Sequence, residues 1–384
     1  MTLITTTTEL AAFCQQHKGA EFIAVDTEFM RDTTYWPKLC LVQLAGESNA
    51  VAVDCLAPDL DLAPLLELMS DFGLLKVFHS ARQDLEIFYH LAGAVPESIF
   101  DTQVAAMVCG FGDSVAYETL ARKLAGARID KSSRFSDWAR RPLPQKQLRY
   151  ALSDVTHLRK IFAELRRRLE RSGRSDWLSE EMAVLTDPAT YDLDPRNAWR
   201  RLKTRSGDQR YLAVLRELAA WRETEAQRRD VPRSRVMRDE QIFDIASRAP
   251  QSPEELAHTR GLNRDFARGR LGRGVLAAVA EGLALPDAAL PEPPPKRVVP
   301  GNTGPVVDLL KVLLKLRCEE HDVAQKLVAS TADLELISSD DKAGVRALAG
   351  WRYEIFGADA LALKHGKLAI GVKRRKARVI PVEK

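Results

Sequence analysis

Apolar residues come in short runs over the first part of the chain: FIAV at residues 22–25, CLVQLA at 40–45, AVAVD at Ala50–Asp54 and LLKVF at 74–78. Each run is bounded by polar or turn residues, which predicts β-strands rather than helices. Three of them follow in close succession before the first long helical pattern, so the sheet is expected to begin as an antiparallel meander. After LLKVF the period changes. SARQDLEIFYHLAG places Ser80 three residues before Gln83, a capping-box signature, and Gly93 where a helix would end. Strands alternating with helices over residues 1–170 predict an α/β domain with a mixed sheet flanked by helices. In such domains ligand sites lie at the carboxyl ends of strands.

The pattern from about Asp154 to Leu185 is helical and heavily charged, interrupted at Gly173. Residues 186–199 contain two prolines and no clear period, which predicts a boundary near residue 205. Residues 210–283 read as all-helical, residues 285–305 as a proline-rich extended spacer, and residues 306–384 as helical again with a basic tail, KRRKAR, at 373–378. Both C-terminal segments open with an amphipathic helix (LAVLRELAAWRE; VVDLLKVLLKLRCEE) followed by a polar break and an acidic-apolar helix, so they form a loose repeat. The expected organisation is an α/β domain over 1–170, a connection over 171–207, a small all-α domain over 208–289, a linker over 290–305 and a second all-α domain over 306–384.

The chain has 384 residues, 45% hydrophobic and 29% charged, as expected of two or three globular domains. No apolar run reaches the length of a membrane span, and the N-terminus lacks the layout of a signal peptide, so no membrane association is expected. The five cysteines are odd in number and scattered, with no C-x-x-C pair. They argue against a disulfide framework and a thiolate zinc site and fit a reducing cytoplasm. The net charge of +4 conceals an asymmetry: residues 1–115 hold 16 acidic and 5 basic side chains, residues 116–384 hold 37 and 52. Two readings follow: metal-binding carboxylates beside a polyanion-binding surface, or solvated faces that sort unevenly.

The stretch FIAVDTEFM, residues Phe22–Met30, carries two carboxylates inside an otherwise apolar strand. Positions two apart share a strand face, so Asp26 and Glu28 sit side by side. Either the strand ends at Val25 and leaves both in water, or a cation sits across them, because adjacent buried carboxylates are costly alone. Further oxygen ligands are available. Asp84 falls in the first turns of the helix after LLKVF, where complementing the helix dipole is the plainer role. Tyr150 and Asp154 are four apart and share a helix face, where an ordinary aromatic and an exposed charge are the plainer roles. Four carboxylates without clustered thiolates or imidazoles favour a hard ion, magnesium or manganese. Such a set suits two-metal phosphodiester hydrolysis, in which the cations acidify the attacking water and neutralise the phosphate. A tyrosine hydroxyl beside that water has the donor and acceptor capacity to orient it. Residues 120–150 hold nine basic side chains against Asp130 and Asp137, with Phe135 and Trp138 interleaved. That composition fits a single-stranded nucleic-acid track or a solvated helix face with two core aromatics.

Taken together, DTEF (26–29), HSARQDLE (79–86) and YALSDV (150–155) resemble the three exonuclease motifs of the DEDD superfamily, tyrosine subclass. YWPKLCLVQLA (35–45) and SDWARRPLPQKQLRYALSDV (136–155) are similar to ribonuclease D, and DVPRSRVMRDEQIFDIASRAPQSPEEL and ALAGWRYEIFG (347–357) resemble the helical HRDC modules that follow its nuclease domain. The resemblance implies a ribonuclease-H-like N-terminal domain and two HRDC-like domains, with Asp26, Glu28, Asp84 and Asp154 holding two divalent ions and Tyr150 orienting the hydrolytic water. It implies 3′→5′ exonucleolysis with release of 5′-monophosphates, acting on tRNA precursors and other small RNAs. Phe29 and His79 within the motifs, with Lys131, Arg134 and Arg141 in the basic stretch, are the candidate RNA contacts. No Walker-type motif is present, so ATP-driven unwinding is not expected. A DNA-directed exonuclease and a non-catalytic RNA scaffold are the competing readings. A monomer with no obligate protein partner is expected.

Overall fold

The computed structural model describes residues 2–130, 136–204, 206–293 and 303–382. They fall into two compact units, one of residues 1–28, 39–190 and 298–384, the other of residues 29–38 and 191–297.

The first unit is built on a six-stranded mixed sheet of β1 (Thr2–Ile4), β2 (Phe22–Met30), β3 (Lys38–Ala45), β4 (Ala50–Asp54), β5 (Leu75–Phe78) and β6 (Ile99–Asp101), in the order β1-β4-β3-β2-β5-β6. β3 and β4 pair antiparallel, Leu41 opposite Asp54 through Ala45 opposite Ala50, while β1–β4, β2–β5 and β5–β6 are parallel. The predicted runs at 22–25, 40–45, 50–54 and 74–78 are thus strands, the last two lying within one residue of the observed bounds. β1 and β6, three residues each, carry too little pattern to be read.

Helices α1 (Thr7–Gln16), α2 (Ala63–Ser70), α3 (Arg82–Ala92), α4 (Thr102–Val108) and α5 (Tyr117–Leu124) connect and follow these strands. α3 begins differently from the sequence expectation. Its cap residue is Ala81 and no side chain caps it; Ser80 has a left-handed backbone, φ +63°. The amides of Ser80 and Ala81 instead donate to the Asp101 carboxylate at 3.0 and 2.8 Å. The same carboxylate accepts from Gln103 N and Val104 N and so caps α4. A carboxylate reaching two helix starts from an adjacent strand replaces the local serine cap. Gly93 does end α3, with φ +69°.

α6 (Gln145–Ser172) runs 28 residues and stops at left-handed Gly173, followed by α7 (Ser175–Thr186). Its buried positions, among them Leu148, Ala151, Leu152, Val155, Leu158, Phe162 and Leu165, recur every three or four residues and form one stripe. Phe162 meets Phe22 and Phe100 at ring-centroid distances of 4.8 and 4.9 Å, which fixes the helix against β2 and β6.

The other unit contains α8 (Gln209–Arg229), α9 (Arg233–Val236), α10 (Asp239–Arg248), α11 (Pro253–Leu256), α12 (Arg264–Arg268) and α13 (Arg270–Ala284) around a core that includes Leu215, Leu218, Ile245, Leu256, Val275 and Val279. Buried Glu223 holds residues 29–38 in this unit: it accepts from the Tyr35 hydroxyl at 2.5 Å and from Arg233 at 2.6 Å.

Residues 303–382 belong to the first unit, as α14 (Gly304–Glu320), α15 (Gln325–Val328), α16 (Thr331–Ser339), α17 (Gly350–Arg352) and α18 (Ala358–Lys364), then a hairpin of β7 (Leu368–Lys373) and β8 (Lys376–Pro381). The predicted basic tail is therefore a two-stranded hairpin, and this module is helical with a β-appendage. It packs onto the nuclease helices. Trp351 stacks on Trp177 at 4.1 Å, Arg352 bonds Glu180 and Glu181, Ala324 N donates to Met107 O, and Arg174 donates to the carbonyls of His321 and Asp322. Removing residues 205–384 strips these contacts. The truncated chain is expected to unfold at a lower temperature than the full chain and to show red-shifted tryptophan emission from Trp177. Equal midpoints in calorimetry would contradict this packing.

Candidate active site

β2 pairs with β5 only from Phe22 to Ala24. The strand runs on past its partner, so Asp26 and Glu28 stand at the carboxyl end of the sheet. From α6, Asp154 reaches the same place. One oxygen from each of Asp26, Glu28 and Asp154 lies within 4.8 Å of the others. Asp84, in the first turn of α3 and 7% exposed, stands outside that tight group. Its charge is nevertheless felt by Glu28 and it feels that of Asp26, and its carboxylate accepts a hydrogen bond from the Thr27 hydroxyl.

Electrostatics follow from this crowding. Burial raises the Asp26 carboxyl well above its ordinary range, and the Asp154 charge raises it further. Glu28 is raised by burial and then by Asp26, Asp154 and Asp84. Asp84 is raised by burial and by Asp26, against a smaller lowering from Thr27. Asp26, Glu28 and Asp84 each resist ionisation, with no Lys or Arg among the causes of their shifts, and with Asp154 beside them they form a site suited to divalent cations. The donors are all hard oxygens, as magnesium and manganese prefer. The residues present therefore fit such ions.

Tyr150 lies one turn before Asp154 on α6, and its hydroxyl is hydrogen-bonded to the Asp154 carboxylate. Burial, followed by the charges of Asp154, Glu28 and Asp26, raises its phenol so that it stays protonated. Trp138, 3% exposed, packs at 6.2 Å from the Tyr150 ring, so it is a core support of the site and not part of a stacking track.

The candidate RNA contacts fare unevenly. Phe29 follows Glu28 on β2 and is half-buried. His79 is half-buried, bonded to the Thr102 hydroxyl at 3.0 Å and edge-on to Tyr117, and burial lowers its pKa. Arg141 is committed inward. It binds both oxygens of Asp54, its Nη1 donates to Trp138 O at 2.7 Å and its Nη2 to Cys40 O at 2.9 Å. It pins the Trp138 loop to β3 and β4. Leaving the Asp54 carboxylate without it would cost on the order of 3 kcal/mol. Lys131 and Arg134, with Phe135, lie outside the described residues.

Two contributors escaped the sequence reading. Asp101 sets the start of α3 and hence the height of Asp84. Tyr117, on α5, donates to the backbone carbonyls of Ser153, at 3.1 Å, and Asp154. That hydroxyl grips the turn of α6 that carries Asp154. A lone tyrosine opening an amphipathic helix gives no sequence signal for this.

Residues 1–170 match the family described as 3′-5′ exonuclease, and residues 211–279 match the HRDC domain. The fold and the acidic site define a 3′→5′ exonuclease, a class whose fold implies divalent metal use. Over nearly its whole length the chain is similar to ribonuclease D of Granulibacter bethesdensis, 52% identical over 99% of this chain and 96% of that one. Ribonuclease D of Nitrobacter hamburgensis is 53% identical over 100% of both. The crystal structure of Escherichia coli RNase D, described as an exoribonuclease involved in structured RNA processing, superposes with a TM-score of 0.79 at 31% identity, covering 95% of this chain and 98% of that one. The chain belongs to the ribonuclease D family of 3′→5′ exoribonucleases. No helix among the described residues is long and apolar enough to cross a membrane.

Replacing Tyr117 by Phe removes the hydroxyl without emptying the site. Outer partners of metal-site residues typically matter 10–100-fold, and a loss of turnover of about that size is expected, together with a raised manganese concentration for half-maximal rate. An unchanged metal requirement and rate would assign Tyr117 to packing alone.

Proposed function

We propose that Asp26, Glu28, Asp84 and Asp154 hold two divalent cations, magnesium or manganese, and that Tyr150 orients the attacking water during stepwise removal of 5′-mononucleotides from RNA 3′ ends. The observation that carries this is the convergence of Asp26, Glu28 and Asp154 from β2 and α6 at the ends of the strands, with Asp84 of α3 near enough for its charge to act on Glu28. Bound cations supply charge neutralisation at the scissile phosphate and acidify the attacking water. The chain's own side chains do the rest. Asp26 and Glu28, fixed by strand alternation, and Asp154, fixed by α6 and Tyr117, present oxygens whose mutual repulsion favours occupancy. Thr27 holds the Asp84 carboxylate in place. Tyr150 keeps its proton and donates it in a hydrogen bond to the Asp154 carboxylate, which leaves the hydroxyl oxygen aimed as an acceptor for the water.

The natural substrates in this reading are tRNA precursors and other small structured RNAs with single-stranded 3′ ends. This is supported by likeness to the E. coli enzyme, whose description names structured RNA processing. The protein acts in the cytoplasm as a monomer. We take its domains as the exonuclease over 1–170, a connection over 171–207, the first HRDC domain over 208–289, a linker over 290–305 and a second HRDC-like module over 306–384.

Asp26→Asn removes one charge from the cage while keeping its shape. With 5′-labelled single-stranded RNA and a matched DNA strand, the wild type is expected to give a one-nucleotide ladder shortening from the 3′ end, on RNA and only with metal. The variant should lose turnover by orders of magnitude while still binding RNA. Unchanged turnover would contradict the assignment of Asp26.

A further inference from the structure

The β7–β8 hairpin breaks two local rules at once. Lys373 and Lys376 are direct cross-strand partners, and like charges facing each other destabilise a strand pair. The two-residue turn between them consists of Arg374 and Arg375, with φ of +52° and +63°. A turn with both central residues left-handed is the one that suits a hairpin, but glycine and asparagine fill it at low cost and arginine does not.

The register sorts the rest. Leu368, Ile370 and Val379 share one face and pack on the core of the helical module. The opposite face carries Lys373, Lys376 and Arg378. These three and the two turn arginines are all exposed. From Gly366 to Val382 the chain has six basic residues and no acidic one. Among the described residues none of the five exposed cations has an acidic partner. The base of the hairpin is fastened, Val382 N donating to Lys367 O at 3.0 Å. A fixed, strained and self-repelling cluster of cations is relieved by a polyanion.

We propose that the tip of this hairpin is a phosphate-backbone clamp for the RNA substrate, formed by Lys373, Arg374, Arg375, Lys376 and Arg378. The proposal rests on the exoribonuclease reading and adds to it a contact surface outside the acidic site. No aromatic residue lies among the five, so the clamp grips charge and is indifferent to base sequence.

The test uses the full-length chain in chelator, which stops cleavage so that equilibrium binding of a single-stranded RNA can be followed against salt. The double substitution Arg374→Asn and Arg375→Gly installs the low-cost turn while removing two charges. Each lost single-strand phosphate contact lowers the salt slope by about 0.7, so a decrease of about 1.4 is expected, with affinity about 20-fold lower at 0.1 M salt. The melting temperature should stay level or rise. Arg378→Gln, outside the turn, should lower the slope by about 0.7. Wild-type affinity and slope in both variants would overturn the clamp, as would a fall in melting temperature for the turn variant with no effect of Arg378→Gln. Binding of the wild type to phosphatidylserine vesicles, lost in the variants while RNA binding is kept, would also overturn it in favour of a membrane contact. A wild-type ladder on RNA alongside unaffected variants defeats the clamp alone; a wild type that neither shortens nor binds RNA defeats the exoribonuclease reading instead.

Discussion

Mutual repulsion among carboxylates at the end of β2 is the constraint around which the nuclease domain is arranged. Asp26 and Glu28 share a strand face because of alternation, and Asp154 closes the group from α6. Burial raises the carboxyls of Asp26 and Glu28 far above their ordinary range, and the neighbouring charges raise them further. Among the described residues no Lys or Arg contributes to the shifts of Asp26, Glu28 or Asp84, so the compensation is left to cations. Divalent metal use is thus written into the electrostatics of the chain as well as into its family.

Holding repelling groups in place requires supports that are not themselves acidic ligands. Thr27 fixes Asp84, Tyr117 fixes the Asp154 turn, and Trp138 backs Tyr150. Arg141 then secures the Trp138 loop by closing on Asp54 at the end of β4. Each support is a hydrogen bond or packing contact between elements far apart in sequence, so the site's precision depends on the sheet and α6 being assembled first. Its stability is shared with residues 303–382, whose Trp351 and Arg352 complete the surface of α7.

What was legible in the sequence was what local periodicity controls. Alternation placed Asp26 beside Glu28, helical spacing placed Tyr150 over Asp154, and Gly93 and Gly173 marked helix ends because a left-handed residue is needed there. What was not legible depends on distant partners. Ser80 has the composition of a cap, yet Asp101, 21 residues away, takes the role. Arg141 reads as a free cation until Asp54, 87 residues away, is seen beneath it. The basic run at 373–378 contains no turn-forming residue, so the hairpin it makes is invisible to turn chemistry. The recruitment of residues 29–38 to the unit of 191–297 by Glu223 has no local signature either.

The most direct test of the account is calorimetric titration of the metal-free chain with manganese, on the wild type and on Asp154→Asn. If the carboxylate group is a cation cage, the wild type binds two ions per chain and melts at a higher temperature once loaded, because the repulsion is relieved. The variant should lose at least one of the two binding events. A wild type that binds no manganese, or a variant that binds it as the wild type does, would contradict the claim that this repulsion exists to be answered by metal.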